Sequence, residues 1–406
     1  MFRKFFTSNE GNFAIIFAVA MVPVMAAVAG GVDFVTVNNK ADKLQGALDT
    51  AALSVATRYY SGMSDEELEE IGREFFISNV DAIYTNPNEF DYIENFDAEA
   101  MTIGKEDHIA VTSSATHEGM IGSITWKASR QSVVRIAPGE PACVLALDRH
   151  ASAAIKIQGS AEIELKGCRL ASNSDASDAV SRGGAARLTA ECVSTVGGTS
   201  GLEGSSNAAL DCGKPKENQY PAHDPLARLI PPSDPGCLKA PGGKTKTLSP
   251  GTYCNEMFSG EITLEPGVYI LRGGEVKLGG NGSLTGYGVT IFLMDDAEFS
   301  IGANQVVQLS PPDSGDYAGI TIYQERGNTS PLTLNGGAGS DISGFVYAPD
   351  AHIFHAGNSA LTTAGNCLRI IGNTVEMTGN SNVSLDCTDE LGGRQMYAGR
   401  YMVIVK

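Results

Sequence analysis

The sequence predicts a mainly β protein carried on a membrane helix. An N-terminal transmembrane helix continues into an amphipathic helix, a small α+β domain follows, and a parallel β-helix (β-solenoid) of about ten or eleven coils forms the rest. Three observations predict this. Residues 13–32 carry no charge, the apolar period turns from helical to two-fold near residue 99, and beyond residue 138 glycine-led aliphatic repeats return every 20–25 residues.

Composition sets outer bounds. Among 406 residues, 29 Lys+Arg face 47 Asp+Glu, a net charge of −18. That argues against a nucleic-acid partner, because phosphate binding needs a basic face. Glycine, at 47 residues, exceeds its usual share, yet there are only 17 prolines and no Gly-X-Y period. Collagen and proline-rich linkers are thereby excluded. Gly, Ser, Asn and Thr interleaved with Val, Ile and Leu point to short strands and tight turns.

The first element is the run Phe13 to Val32, bracketed by Glu10 and Asp33. At 1.5 Å per residue it spans about 30 Å, the thickness of a bilayer hydrocarbon core. Pro23, mid-span, is tolerated in membrane helices. Arg3 and Lys4 precede the run, so the positive-inside rule keeps residues 1–12 as a cytoplasmic tail and exports the chain beyond residue 32. A signal peptide cut after Ala29 is the competing reading, since Ala27-Val28-Ala29 fits the small-x-small pattern. The length of the apolar run favours an uncleaved anchor. All eight cysteines (Cys143, Cys168, Cys192, Cys212, Cys237, Cys254, Cys367 and Cys387) lie beyond the span, and none forms C-x-x-C. Export and even number make them disulfide candidates, with 105 connectivities open.

Beyond the span, Phe34, Val37, Ala41, Leu44, Leu48, Ala51 and Val55 recur in steps of three and four. This is a helical seam. It packs either on the protein's own downstream domain or on another subunit's helix. Ser64 and Glu67 form a capping box for a second helix, with Asp65, Glu66 and Glu67 at its positive end and Leu68, Ile71 and Phe75 as its buried stripe. Strands follow around Met101–Ile103, Ile109–Val111 and Ser132–Ile136. Residues 33–137 thus read as a helical stalk with a small α+β domain.

Gly11 to Phe17, Pro23, Asp33 and Ala47 to Leu53 give a GN-x-A-I-I-F opening, a proline-containing apolar helix, a membrane-exit Asp and an A-L-D-x-A-A-L ending. In these features the stretch resembles the N-terminal region of TadG-like proteins of the Tad (Flp, tight adherence) pilus machinery. The resemblance covers about 45 residues and weakens through residue 137. It implies a single-pass protein of the bacterial inner membrane, N-terminus cytoplasmic and bulk periplasmic. The bilayer would hold residues 13–32. Other pilus-assembly proteins, or a second copy, would meet the stalk helix. Prepilins are cut after Gly and carry Glu five residues on. Here Ile16 stands five residues after Gly11, which favours a permanent anchor over a fibre subunit.

Pro138 and Pro141 mark the next boundary. The repeats beyond it include Gly159…Ile163, Gly280…Leu284, Gly302…Val306, Gly357…Leu361 and Gly379…Val383, and Cys143, Cys168, Cys192 and Cys212 step by 25, 24 and 20. A solenoid buries each coil's aliphatics against the next, and Gly and Asn supply the corners. A β-sandwich is the alternative. The segments LSPGTYC, PGVYILRGG and GFVYAPDA look like pieces of the glycine-rich, β-helix-like extensions of such pilus proteins. Residues 138–390 form this domain, Tyr220 to Cys237 make a proline-rich excursion along it, and 391–406 are a terminal strand or tail.

No catalytic residue, metal ligand or cofactor site is expected. Val144–Asp148 resembles the start of a von Willebrand A metal site, but His150 stands where a Ser is needed and only Ser152 fits. Asp295 and Asp296, read as strand neighbours, point to opposite faces, as do His352 and His355. Glu162, Glu164 and Lys166 read as a solvated face. G-x-S-x-G, P-loop and H-E-x-x-H motifs are lacking. The alternative to a structural protein is a carbohydrate-binding or -cleaving β-helix, whose sugar-stacking residues would be Tyr253, Tyr287, Tyr323 and Tyr347.

Overall fold

A computed structural model describes residues 12–59, 63–83, 95–103, 106–119, 125–233, 236–278, 280–302, 304–335, 337, 339–355, 360–362, 367–378, 382–386 and 396–405. Arg3, Lys4, Glu10, Gly11, Gly357, Gly379 and Cys387, all used above, lie outside them. The chain divides into two units, residues 1–137 with 401–406, and residues 138–400.

In the first unit, α1 (Asn12–Arg58) runs unbroken through Pro23 and Gly30-Gly31. Its apolar side chains from Ile16 to Val32 are largely exposed, and burial begins at Ala41. Ala41, Leu44, Ala47, Leu48, Ala51, Ala52 and Val55 are all buried. That stripe is broader than a two-position seam, as expected of a helix packed on a globular core. The expected seam therefore begins at Ala41. Val37 is half-buried, and Phe34 is 59% exposed because the core against which the later residues pack does not reach it.

α2 (Asp65–Ile83) starts with a capping box. The Ser64 N–H donates to Glu67 Oε2 (2.8 Å), and the Glu67 N–H donates to Ser64 Oγ (3.3 Å). Its buried stripe is Leu68, Gly72, Phe76 and Val80, one residue every four. This corrects the expected stripe. Ile71 is half-buried, and Phe75 is 38% exposed, its ring under the Arg58 guanidinium at 5.4 Å. Gly72 explains the choice of face, since a Cβ there would stand 2.8 Å from Val55 Cγ2 on α1. The helices meet where one of them has no side chain.

β1 (Asp97–Ile103), β2 (Glu106–Glu118) and β3 (Thr125–Ala146) form an antiparallel meander. Ile109, Val111, Val134 and Ile136 face the helices in one core with Phe76 and Phe96. Met402 and Ile404, near the end of the terminal strand Tyr397–Val405, join that core. Residues 401–406 are grouped with the first unit.

In the second unit every strand pairing below is parallel, unlike the hairpins of a sandwich. Three columns result. The first stacks, in space, 237–238, 251–254, 267–272, 289–294, 320–324, 344–348, 368–372, 142–146, 169–172 and 193–195. The second runs 257–258, 275–277, 298–301, 332–334, 352–355, 374–377, 155–157, 180–182 and 199–200. The third runs in two sheets, 245–248 to 341–342 and 360–362 to 208–210, in the same order. The order is not the chain order. The earliest strands stand in the middle of each column, stacked on the latest.

Aliphatics from all three columns share one core. Outer strands alternate. In Glu162–Lys166, Ile163 and Leu165 point in while Glu162 and Lys166 are exposed. The first column is buried on both faces instead, as at Ile320–Gln324, because a second apolar cluster covers its outside. Corners are tight. At Gly201 (φ +72°) a Cβ would run into the carbonyl of Arg182 one layer away.

Disulfides join Cys143 to Cys168, Cys192 to Cys212 and Cys237 to Cys254, with Cα–Cα separations of 5.6, 5.4 and 5.5 Å. Cys367 is disulfide-bonded as well. The Cys192 and Cys237 bridges staple the two opposite ends of the first column.

Candidate functional site

Two surfaces carry most of the chemistry. The first is α1 between Ile16 and Val35, where most apolar side chains stand exposed among the described residues. At its upper edge lies the membrane-exit Asp33, whose partner on β2 no sequence pattern announced. Asp33 is buried. The imidazole Nε2 of His117 on β2 lies 3.9 Å from its carboxylate, and Lys40 Nζ lies 3.3 Å from His117 Nδ1. Polar side chains 77 residues or more apart in sequence thus meet where α1 turns from exposed to buried.

The second is the outside of the first column, along which residues 220–233 run. Asn173 holds it twice, accepting from the Ala222 N–H (2.7 Å) and donating to the Ala222 carbonyl (2.8 Å). Leu226 is buried in the outer apolar cluster. Asp224 is the hub. Its Oδ2 accepts from Arg326 Nη2 at 2.6 Å and from the Tyr347 hydroxyl at 2.9 Å, and its Oδ1 accepts from the Leu226 N–H at 2.9 Å. Arg326 also donates to Tyr347 Oη. Burial, and then the Asp224 charge, push the Tyr347 hydroxyl far above its ordinary value, so it remains a donor. Burial alone would lower Arg326, but Tyr347 and Asp224 outweigh it and hold the guanidinium charged. Farther along, the Tyr317 hydroxyl donates to the Ile230 carbonyl (3.3 Å).

The remaining expected residues are engaged structurally. Burial raises Asp148, but the N–H groups of His150 and Ala151 and the Asn373 amide outweigh it and leave the carboxyl below its ordinary range. This is an Asx-type corner, and His150 instead meets Asp175 one layer on, at 3.1 Å. Asp295 and Asp296 are not strand neighbours. They form a corner, both at positive φ (51° and 57°), with Asp295 paired to Arg272 at 2.7 Å. His352 and His355 face opposite sides of one strand, and burial lowers both. Tyr253, Tyr323 and Tyr347 are buried, which leaves Tyr287 alone of the four tyrosines on the surface. Among the described residues no group of His, Cys, Asp and Glu is disposed to hold a metal ion.

Of the seam residues, Leu44, Leu48, Ala51 and Val55 come together inside the first unit's own core, Ala41 is buried beside them without joining that cluster, and Phe34 and Val37 do not join it either. Residues 11–58, essentially α1, match the family model for Flp pilus-assembly TadE/G-like proteins. No curated protein and no solved structure matches the chain.

Proposed function

We propose, from the TadE/G-like match at residues 11–58, that this chain is a membrane-anchored structural component of Tad (Flp) pilus assembly and performs no catalysis. One observation carries the reading. Within the matched helix, exposed apolar residues up to Val35 give way over about two turns to buried ones from Ala41 on, which is what a helix half in lipid and half in a folded domain requires. Residues 13–32 span the inner membrane with the N-terminus cytoplasmic, and the rest stands in the periplasm, where disulfides persist. The three parallel columns are the faces of a β-solenoid. Its exposed flanks, not the seam, meet other pilus-assembly proteins, because the seam from Leu44 to Val55 is taken up by the chain's own core.

Protease protection tests this. In spheroplasts the second unit becomes accessible to added protease while intact cells shield it, and the chain stays with membranes after alkaline extraction. Recovery of the chain in the soluble cytosolic fraction with reduced thiols refutes it.

A further inference from the structure

We infer that the end of the β2–β3 pair formed by His117, Glu118, Thr125 and Trp126 rests on the lipid surface where α1 leaves the bilayer, with Trp126 as its interfacial anchor. The inference rests on the reading of residues 13–32 as a membrane span.

The geometry is set by two ties between the hairpin and α1. His117 reaches Asp33, the first charged residue after the apolar run (3.9 Å), and Gln45 Nε2 donates to the Gln131 carbonyl on β3 (3.1 Å). Gln131 pairs with Thr112 in the β2–β3 register. Asp33 to Gln45 covers about 18 Å of helix. Thr112 to His117 covers about 17 Å of strand. The two lengths agree, so strand and helix run side by side, and β2 advances toward the membrane as α1 recedes from it. His117 therefore stands at the depth of Asp33, the membrane-exit residue.

Trp126 is the residue directly opposite His117. Cross-strand partners project from the same face of a sheet, so the indole lies on the side that faces α1, beside Asp33. It is 37% exposed, and Thr125 and Lys127 on either side are exposed too. An indole with an apolar body and a polar N–H is suited to the headgroup layer, where Trp is enriched. The occupant is fixed by continuity. The exposed apolar surface of α1 ends at the same level, so whatever lipid covers Val32 ends beside Trp126.

Trp126 is the one tryptophan of the chain, so its emission reports this site alone. The full-length protein is reconstituted in phosphatidylcholine–phosphatidylglycerol vesicles containing brominated phospholipids. Flotation reports anchoring separately. The expected result is marked quenching by bromines near the glycerol backbone and weaker quenching by bromines near the chain ends, with Trp126→Phe as the blank. Floating protein whose emission is untouched by either lipid, yet quenched by aqueous iodide, overturns the inference. Stronger quenching from the chain ends overturns it as well. Protein that fails to float overturns the anchor reading instead.

Discussion

Replacing Asp224 with Asn isolates what holds residues 220–233 on the stack. The carboxamide keeps the shape and the oxygen that accepts from Leu226, but it turns an NH2 toward two donors, Arg326 and Tyr347. Hydrogen bonds to a charged partner contribute about 1.5–3 kcal/mol each. The Arg326 side chain is 46% exposed, so its share falls toward about 1 kcal/mol. The Tyr347 hydroxyl sits on a fully buried ring, and an orphaned buried donor costs about 1–3 kcal/mol. Together the variant loosens the segment by about 2–4 kcal/mol, or about 30- to 700-fold in local opening. Amide hydrogen exchange reads this at Ala222 and Leu226, while strand 289–294 serves as reference. Unchanged exchange at both amides refutes the hub. Equal acceleration in the reference strand refutes the local character of the loss and makes Asp224 a support of the whole stack.

Two further outcomes are expected. Phe76→Ala destabilises the first unit by about 3–5 kcal/mol, because the ring is fully buried 5.1 Å from Phe96. Phe75→Ala costs under about 1 kcal/mol, its loss being mainly the Arg58 contact. Urea titrations of the detergent-solubilised chain followed by circular dichroism compare the two, and the reverse ranking refutes the corrected stripe. The second concerns acid. His355 donates from Nδ1 to the Leu334 carbonyl (2.6 Å), and burial holds its folded pKa below the unfolded value. The unfolded chain therefore takes up the proton first. Stability from this group is complete above about pH 6.5 and is lost as pH falls from there through the lowered folded value. His355→Phe flattens the decline between neutral and acidic pH in thermal melts, and parallel profiles for the two proteins refute it.

Local signals were legible in the sequence, and spatial partners were not. The Ser64–Glu67 box is written in neighbouring residues and so is read directly. The seam was counted on a heptad, which selects two positions per two turns. α1 buries Ala47 and Ala52 too, a breadth that small residues conceal, and it leaves Phe34 outside the core. In α2 the aromatic pair Phe75–Phe76 offered two phases, and the small Gly72 decided between them by its fit to Val55. Asp295-Asp296 read as strand because alternation ignores φ, although Asp is among the residues that tolerate the left-handed region. The Asp224 hub joins residues 102 and 123 positions apart, and periodicity says nothing about such pairs. For the same reason a repeat length predicts coils without telling which layer lies on which.

That last gap matters for how the protein is made. A chain synthesised from its N-terminus first lays down the block 142–216, abandons it, restarts at 237 from the far side, and comes back to the abandoned edge only with residues 368–386. Until those residues emerge, the strands at 142–146, 155–157 and 162–166 display a row of unmatched backbone groups, the kind of edge that recruits foreign strands. The final stretch is thus a keystone. A product that stops short of residue 368 retains two half-built blocks with facing sticky edges, so incomplete synthesis betrays itself by self-association.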